Sequence, residues 1–296
     1  MFEGIIGNDK IKKELEFLAK TEKYSHSYLF LGTAGIGKKL IAREFAKMIL
    51  CESEEKYCGK CKSCIEFDSN NNPDFLEIMP DGNNVKIEQI RDLQRKIVEQ
   101  PIISGKKVYI IDDADFMTRE AQNCLLKTLE EPPEFANIIL IGANESSFLS
   151  TIKSRCTLIK FNPIPDEEIK EYITKKYELR EISDSVILAS GGSIGKAENL
   201  KDKEELYKSI DKVMNNLEKM DLIDTLKNAD IIYKSQDEKQ NILEYINIIL
   251  FKKSKQNKKY LDCINIVEET KKRLKANSNY NMTIDNMIMT IWEEIH

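Results

Sequence analysis

The sequence has no long apolar run and little glycine or proline. No stretch approaches the roughly 20 consecutive apolar residues of a membrane-spanning helix. Glycine and proline number 12 and 7 among 296 residues, and no low-complexity tract is present. Residues 1–10 lack the basic-then-apolar pattern of a secretory signal. These absences predict a cytoplasmic protein without membrane contact, and the length suits two or three domains.

The sequence also lacks an excess of positive charge. Its formal net charge is −5, which argues against electrostatic binding of nucleic acid by the whole surface. Any DNA contact would come from a local patch or from partner chains. The most basic run, 251–259, is interpreted as a solvated loop between helices, with contact to DNA or to a partner as the alternative.

Seven cysteines are present, but a reducing cytosol does not favour a disulfide framework. Four of them follow the spacing C-x6-C-x2-C-x2-C, at Cys51, Cys58, Cys61 and Cys64. Four thiolates at such short spacing can close a tetrahedral shell around Zn²⁺ and leave no open position for catalysis. We therefore predict a structural zinc site. The alternatives are unrelated free cysteines or a redox relay.

Apolar runs alternate with helical patterns in the first half of the chain. The runs 27–31, 108–111 and 137–141 are typical of strands buried on both faces of a parallel sheet. Helical periodicity occupies 40–50, 87–99 and 118–130. The order predicts a doubly wound α/β domain with a parallel sheet that ends near Phe161.

The remainder is predicted to be helical. A stripe with helical spacing lies near the end of the chain, with Asn281 or Thr283 as candidate N-caps. Its members are Ile284, Met287, Ile288, Ile291, Trp292 and Ile295. The stripe fits either an internal core or a subunit interface.

A glycine-rich loop lies between the first strand and the helix that follows it. Gly32, Gly35, Gly37 and Lys38 complete the pattern G-x-x-x-x-G-K. Glycines let backbone N–H groups converge on phosphate, the helix N-terminus adds its dipole, and the lysine adds charge. The pattern predicts nucleotide-binding ancestry, and a merely structural turn is the alternative.

Two positions depart from an active magnesium site. The residue after Lys38 is normally Ser or Thr, whose hydroxyl binds Mg²⁺, but here it is Lys39. The apolar run 108–111 ends in Asp112, the candidate magnesium-associated carboxylate, with a solvated strand end as the alternative. Asp113 follows it. We expect nucleotide binding to be weakened and hydrolysis to be poor.

Two further segments, Leu125–Pro133 (LLKTLEEPP) and Ser154-Arg155-Cys156, complete a recognisable set. Together with the loop and the cysteines, they resemble the clamp-loader subunits of bacterial DNA polymerase III. This AAA+ family includes the gamma/tau motor and the delta-prime subunit. The resemblance implies an AAA+ P-loop domain over 1–161 with a zinc module at 51–64, a helical lid over 162–205 and a helical collar over 206–296.

The resemblance also implies partners and roles. The chain would join gamma/tau and delta subunits in a hetero-pentamer that places the sliding clamp on primed DNA. The polymerase activity would belong to the whole holoenzyme. Arg155 would be an arginine finger for the ATP site of a neighbour, with an ordinary surface arginine as the alternative. Asn144 would be the polar sensor that reads the γ-phosphate of ATP, and binding of ATP or ADP would be weakened.

Three departures agree with one another. Lys39 replaces the hydroxyl residue, Asp113 replaces the usual glutamate, and Gly195 occupies the position of the sensor arginine in the lid. This combination resembles a delta-prime-type subunit that has largely lost its own ATP hydrolysis. The length agrees, because motor subunits usually continue past the collar and this sequence stops there. An active gamma/tau-type ATPase is the main alternative, and an AAA+ scaffold outside replication is another.

Overall fold

The chain forms two compact units in a computed structural model that describes residues 2–296. The first comprises the residues up to Glu168 together with Ser193–Gly195, and the second comprises Ile169–Gly192 and Lys196–His296. Within the described residues, no helix is both long and apolar enough to cross a membrane.

The first unit contains a five-stranded parallel sheet with the order β2-β3-β4-β1-β5. The predicted α/β class is therefore confirmed. The strands are β1 (Ser27–Leu31), β2 (Phe75–Ile78), β3 (Lys107–Ile111), β4 (Ala136–Gly142) and β5 (Thr157–Lys160). Its helices are α1 (Asp9–Thr21), α2 (Lys38–Leu50), α3 (Lys62–Asp68), α4 (Ile87–Ile97), α5 (Arg119–Glu130) and α6 (Ser150–Lys153).

Alternating side chains of the central strands fill two apolar cores, one on each face of the sheet. Tyr28 and Phe30 of β1 pack with Phe45 of α2, whereas Leu29 of β1 packs with Leu125 of α5. Both faces are covered, so every residue of β1 is buried. This two-sided burial explains why the central strands are continuous apolar runs.

Two strands, β2 and β5, were not predicted from the sequence because they are short and lie at the edges of the sheet. In β2, only Ile78 is buried, and in β5 only Ile159 is buried. Neither strand shows the continuous apolar run that identified β1, β3 and β4. Both segments nevertheless pair with the sheet, β2 beside β3 and β5 beside β1.

The second unit is helical, as predicted. Its elements are α7 (Asp166–Lys176), α8 (Asp184–Ser190), α9 (Ile194–Leu200), α10 (Glu204–Asn216), α11 (Leu222–Asn228), α12 (Asp230–Lys234), α13 (Lys239–Ser254), α14 (Lys259–Lys275) and α15 (Tyr280–Ile295). The first residues of α7 and of α9 belong to the first unit. Helix α14 packs against α13 and α15, and α8 packs against α10 and α13. The finer division into a lid and a collar stays a prediction.

The C-terminal stripe forms an internal core of this unit. Ile284 is fully buried, and Met287, Ile288 and Ile291 are at most 5% exposed. The predicted caps are wrong: the side chain of Asn279 caps the helix by accepting the N–H of Met282 at 3.1 Å. Asn279, two positions before Asn281, was overlooked because the apolar stripe begins only after the first helical turn.

The interpretation of 251–259 as a loop is correct only in part. Helix α13 continues to Ser254, and α14 begins at Lys259. Residues 255–258 form the connection, and all of them are exposed. Helical propensity of lysine extends α13 into the basic run.

Replacing Ile284 with Ala is expected to lower the free energy of unfolding of the helical unit by about 2–5 kcal/mol, because it leaves a cavity in a closed core. Trp292 is the chain's single tryptophan and lies on the same helix, so urea unfolding followed by its fluorescence reports on this unit. Met282→Ala, at a position 72% exposed, is the matched control and should change stability by less than about 0.5 kcal/mol. Equal losses in the two variants would contradict an internal core.

Candidate functional site

The glycine-rich loop joins the carboxyl end of β1 to α2. Gly37 is the N-cap residue of α2, so the N-terminus of that helix faces the loop. Gly35 has φ +75° and is packed so closely that an added Cβ would lie 2.5 Å from the hydroxyl oxygen of Ser193. The N–H of Gly195 donates to the carbonyl oxygen of Gly35 at 3.0 Å. The loop is therefore covered by backbone from 193–195.

This contact gives a structural reason for the glycine at position 195. A Cβ at Gly195 would approach the Cα of Gly35 to 3.2 Å and its carbonyl oxygen to 3.4 Å. The glycine-rich loop or the start of α9 would have to shift to admit a side chain there. The sequence departure at Gly195 thus coincides with direct packing of the start of α9 on the glycine-rich loop.

Lys38 is buried within the loop. Its ammonium donates to the carbonyl oxygens of Gly32 and Thr33 at 2.6 and 2.9 Å. Burial lowers its pKa, although the charges of Asp115, Asp113 and Asp112 oppose this effect. The lysine lies where a phosphate-binding cation is needed and is held by weak, neutral acceptors that an anion can replace.

Lys39 forms ion pairs with two carboxylates. Its ammonium contacts Glu77 and lies 3.0 Å from Asp112 Oδ2. Arg43 holds the other oxygen of Glu77 at 2.6 Å. Burial alone would lower the pKa of Lys39. The contacts with Glu77 and Asp112 outweigh this effect of burial, so the pKa of Lys39 is raised. The cation that replaces the hydroxyl residue therefore neutralises the candidate magnesium carboxylate directly.

Asp113 lies in a crowded acidic environment. Desolvation, followed by the negative charges of Asp112 and Asp115, raises its pKa. Its backbone adopts a left-handed conformation with φ 48°, a region that L-residues other than Asn and Asp rarely occupy. The positive charges of Lys38 and Lys39 oppose this rise in the pKa of Asp113.

Asp115 connects the ends of β3 and β4. Its Oδ2 accepts the N–H groups of Ala143 and Asn144 at 3.2 and 3.0 Å. The side chain of Asn144 accepts from the N–H and hydroxyl of Ser146 at 3.0 and 2.8 Å. Asn144 thus lies at the carboxyl edge of the sheet, with its amide oxygen engaged locally.

The parallel sheet brings these predicted residues together. Strands β3, β4 and β1 are adjacent, so the segments that follow them meet at the carboxyl edge, the usual ligand-binding side of an open α/β sheet. The glycine-rich loop follows β1, Asp112 follows β3, and Asn144 follows β4. Glu77, from the unpredicted strand β2, is the partner that sequence reasoning missed.

Arg155 lies elsewhere. It precedes β5, whereas the glycine-rich loop follows β1, and the two strands are parallel neighbours. The arginine therefore lies at the amino edge of the sheet, separated from the loop by a strand length of roughly 13 Å. The contacts of its guanidinium are made with residues of α5 and α6 and not with the glycine-rich loop.

The guanidinium of Arg155 is held by its surroundings. Nη2 forms an ion pair with Glu130, and Nη1 donates to Thr151 O at 2.9 Å and to Ser154 Oγ at 3.3 Å. The neighbouring Cys156 packs against the core, and burial raises the pKa of its thiol to about 12. The triplet thus combines a partly buried cysteine, packed against the core, with an arginine that remains partly exposed.

The four clustered cysteines converge in space, as the spacing predicted. Their sulfur atoms all lie within 4.8 Å of one another, and Cys51 Sγ is 3.7 Å from Cys58 Sγ and 4.0 Å from Cys61 Sγ. A tetrahedral site with metal–sulfur bonds of about 2.3 Å requires sulfur separations of about 3.8 Å. The cluster, completed by Cys64, can therefore hold a metal ion.

Backbone N–H groups favour negative charge at Cys58 and Cys61, whereas burial raises the pKa of the Cys64 thiol. Cys58 Sγ accepts the N–H groups of Lys60 and Cys61 at 3.4 and 3.2 Å, and these donors lower the pKa of the Cys58 thiol to about 6. Cys61 Sγ similarly accepts the N–H of Cys64 at 3.4 Å. Such donors favour the thiolates that bind metal ions.

A buried hydrogen-bond network connects the cysteine segment to the sheet. Ser63, between two of the cysteines, contacts Ser104 through their hydroxyl groups at 2.8 Å, and Asn72 donates to both the carbonyl and the hydroxyl of Ser63 at 3.0 Å. Asp74 accepts three backbone N–H groups, from 102–104, each at 2.7 Å. The helix that carries Cys64 is therefore fastened to the segment before β3.

Known proteins resemble this chain. The profile of a protein family described as DNA polymerase III, delta subunit, matches residues 7–165. The DNA polymerase III subunit delta' of Bacillus subtilis is 36% identical over 168 residues, which cover 56% of this chain and 51% of that protein. The subunit tau of the same organism is 37% identical over 170 residues, 57% of this chain and 30% of that protein.

A solved structure described as a DNA polymerase III gamma subunit-related protein from Thermotoga maritima covers 95% of this chain and 99% of its own, with 20% identity and a TM-score of 0.46. The two curated matches span about half or less of each relative's own length.

Proposed function

This chain belongs to the DNA polymerase III delta-subunit family, whose profile matches more than half of it, and on that premise we propose that it is a delta-prime-type clamp-loader subunit. It would act in a complex with gamma/tau and delta subunits. That complex would place the sliding clamp on primed DNA during replication. The chain would contribute an arginine finger and little hydrolysis of its own.

The single observation that carries this proposal is the ion pair of Lys39 with Asp112. In a P-loop ATPase these two positions hold Mg²⁺ through a hydroxyl and a carboxylate. Here a tethered ammonium supplies the positive charge, but it cannot bridge phosphate oxygens as a metal ion does. Poor hydrolysis in this chain follows from that exchange.

Two other features support weak hydrolysis. Asp113 has a side chain one methylene shorter than the usual glutamate, and displacement of a catalytic group by about 1 Å can lower a rate a hundredfold. Gly195 has no side chain and packs on Gly35, so no sensor arginine acts from that position. Gly32, Gly35, Gly37 and Lys38 would still allow weak binding of ATP or ADP, with Asn144 near the terminal phosphate.

The position of Arg155 supports a role in a neighbour's site. It lies at the amino edge of the sheet, opposite the chain's own loop, and its guanidinium is partly exposed. Arginine suits this role because it stays charged and its planar donors match phosphate oxygens. The finger would stabilise the charge that develops on the neighbour's transferred phosphoryl group.

We also propose that Cys51, Cys58, Cys61 and Cys64 hold a structural Zn²⁺. The sulfur separations and the N–H donors around Cys58 support this assignment. Four thiolates saturate tetrahedral zinc, so the ion would stabilise the 51–64 segment and perform no catalysis.

Replacing Lys39 with Thr is expected to make ATP binding depend on Mg²⁺, because the change supplies a hydroxyl ligand and releases Asp112 from its ion pair. We expect Mg²⁺ to strengthen ATP binding about tenfold in this variant, equivalent to about 1.4 kcal/mol. Titration of a fluorescent ATP analogue with and without Mg²⁺ measures the effect.

Lys39→Arg keeps the cation and is the matched control, so its binding should respond to Mg²⁺ as weakly as that of the parent chain. Steady ATP turnover by the purified parent chain, abolished by Lys38→Ala, would instead favour the gamma/tau-type alternative.

Replacing Arg155 with Ala is expected to silence the neighbouring ATP site in the reconstituted complex. Loss of an arginine finger lowers the rate at the site it serves by about 10³-fold or more. The ATPase rate of the complex should fall by the amount that this one ATP site contributes to the total rate. Clamp loading should fall with it. Both are measured on complexes whose assembly is checked by gel filtration.

Arg95→Ala is a suitable control, since Arg95 is also a surface arginine paired with a carboxylate, that of Asp92. Unchanged hydrolysis in the Arg155→Ala complex would remove the finger from this proposal.

Freshly purified protein is expected to contain one zinc ion per chain, because the four sulfur atoms provide one tetrahedral site. Cys58→Ser with Cys61→Ser should abolish this content, whereas Cys124→Ser, outside the cluster, should leave it unchanged. Elemental analysis measures the metal. Protein that is fully active in assembly and free of zinc would contradict the assignment.

A further inference from the structure

We propose that Glu130 is a positioning residue for Arg155, holding the guanidinium in the orientation in which it meets the neighbour's phosphate. This inference rests on the proposed role of Arg155 as a finger. It concerns a carboxylate 25 residues away in the sequence, at the end of another helix.

The guanidinium is fixed at both of its terminal nitrogens. Glu130 pairs with Nη2, while Thr151 O and Ser154 Oγ accept from Nη1. The acceptors come from two separate segments, the end of α5 and the region of α6. Two contacts from α6 alone fix one edge of the plane, and Glu130 fixes the other.

Glu130 is itself presented from a rigid position. It is the last residue of α5, and the preceding Leu129 is buried in the core. The N–H of Glu131 still bonds to Lys127 O at 3.1 Å, and Pro132 and Pro133 restrict the chain that follows. The backbone that carries the Glu130 carboxylate is therefore held in a defined position.

Fixing the arginine in advance favours the transition state. An unrestrained arginine side chain loses about 2 kcal/mol of rotamer entropy when it is immobilised. Contacts made before the neighbour arrives remove part of that loss at the moment of reaction. A planar donor also acts best when its orientation is correct, and small misplacements lower rates steeply.

The Arg155–Glu130 pair contributes little to folding. The two side chains are 31% and 47% exposed, and exposed ion pairs contribute about 0–1 kcal/mol. Removing Glu130 is therefore expected to leave the fold and the assembly intact. Its effect should be seen in the rate of the reaction that Arg155 serves.

Glu131 provides a matched control on the same segment. It is exposed, and no ion pair involves it within residues 2–296. Its removal changes the local charge by the same amount as removal of Glu130 but leaves the contacts of Arg155 in place.

The test uses the full chain in the reconstituted complex with its motor and delta subunits. The measured quantity is the Arg155-dependent ATPase rate, defined as the rate with the parent chain minus the rate with Arg155→Ala. Glu130→Ala should lower the kcat of this part about tenfold, or about 1.4 kcal/mol, with little change in the KM for ATP. Glu130→Gln, which keeps an acceptor but loses the charge, should give a smaller loss.

A double substitution separates positioning from a general structural effect. Glu130→Ala combined with Arg155→Ala should match Arg155→Ala alone, because Glu130 acts only through the arginine. Thermal unfolding and gel filtration should show the same fold and assembly for Glu130→Gln and Glu131→Ala as for the parent chain.

Three results would overturn the inference: a Glu130→Ala rate equal to that of Glu131→Ala, a Glu130→Ala rate above that of the parent, or a double variant below Arg155→Ala. If either of the first two results is found while Arg155→Ala still lowers the ATPase rate, only the role of Glu130 is overturned, and the finger proposal stands. If Arg155→Ala changes nothing, the finger proposal and this inference both fail.

Discussion

The ammonium group of Lys39, held between Glu77 and Asp112, determines the chemistry of the carboxyl edge of the sheet. Acidic side chains gather there because parallel strands end together. Their mutual repulsion has to be balanced by a cation, and here that cation is covalently part of the chain. Because this cation is tethered to α2, it balances the charges of Glu77 and Asp112 without an exchangeable metal ion.

The amino edge of the same sheet carries a different arrangement of charge. Arg155 is neutralised there by Glu130 with both groups partly exposed, which leaves the pair open to a stronger anion. The β-sheet separates the two edges, so the surroundings of Arg155 do not depend on the glycine-rich loop. Under the proposed function, the arginine would keep its contacts with α5 and α6 even where the chain's own hydrolysis is poor.

The parts of the fold that sequence reasoning predicted are those with strong local patterns. Two-sided burial makes β1, β3 and β4 continuous apolar runs, the glycine spacing marks the loop, and the cysteine spacing marks the cluster. Strands β2 and β5 were missed because each has a single buried residue, and Glu77 was missed with β2. Glu130 could not be identified as the partner of Arg155, since the contact depends on how α5 ends relative to α6. The three-domain division and the individual site roles remain predictions.

Ser63 and Asp74 form hydrogen bonds with the 102–104 segment, and Asn72 donates to Ser63, so the network joins the cysteine segment to the edge of the sheet. Loss of the Asp74 carboxylate would leave the buried N–H of Ser104 unsatisfied, at a cost of about 1–3 kcal/mol. The network therefore stabilises the packing of the cysteine segment against the segment before β3. The cysteine segment is thereby linked to the neighbourhood of the edge strand β2, the strand that supplies a carboxylate paired with Lys39.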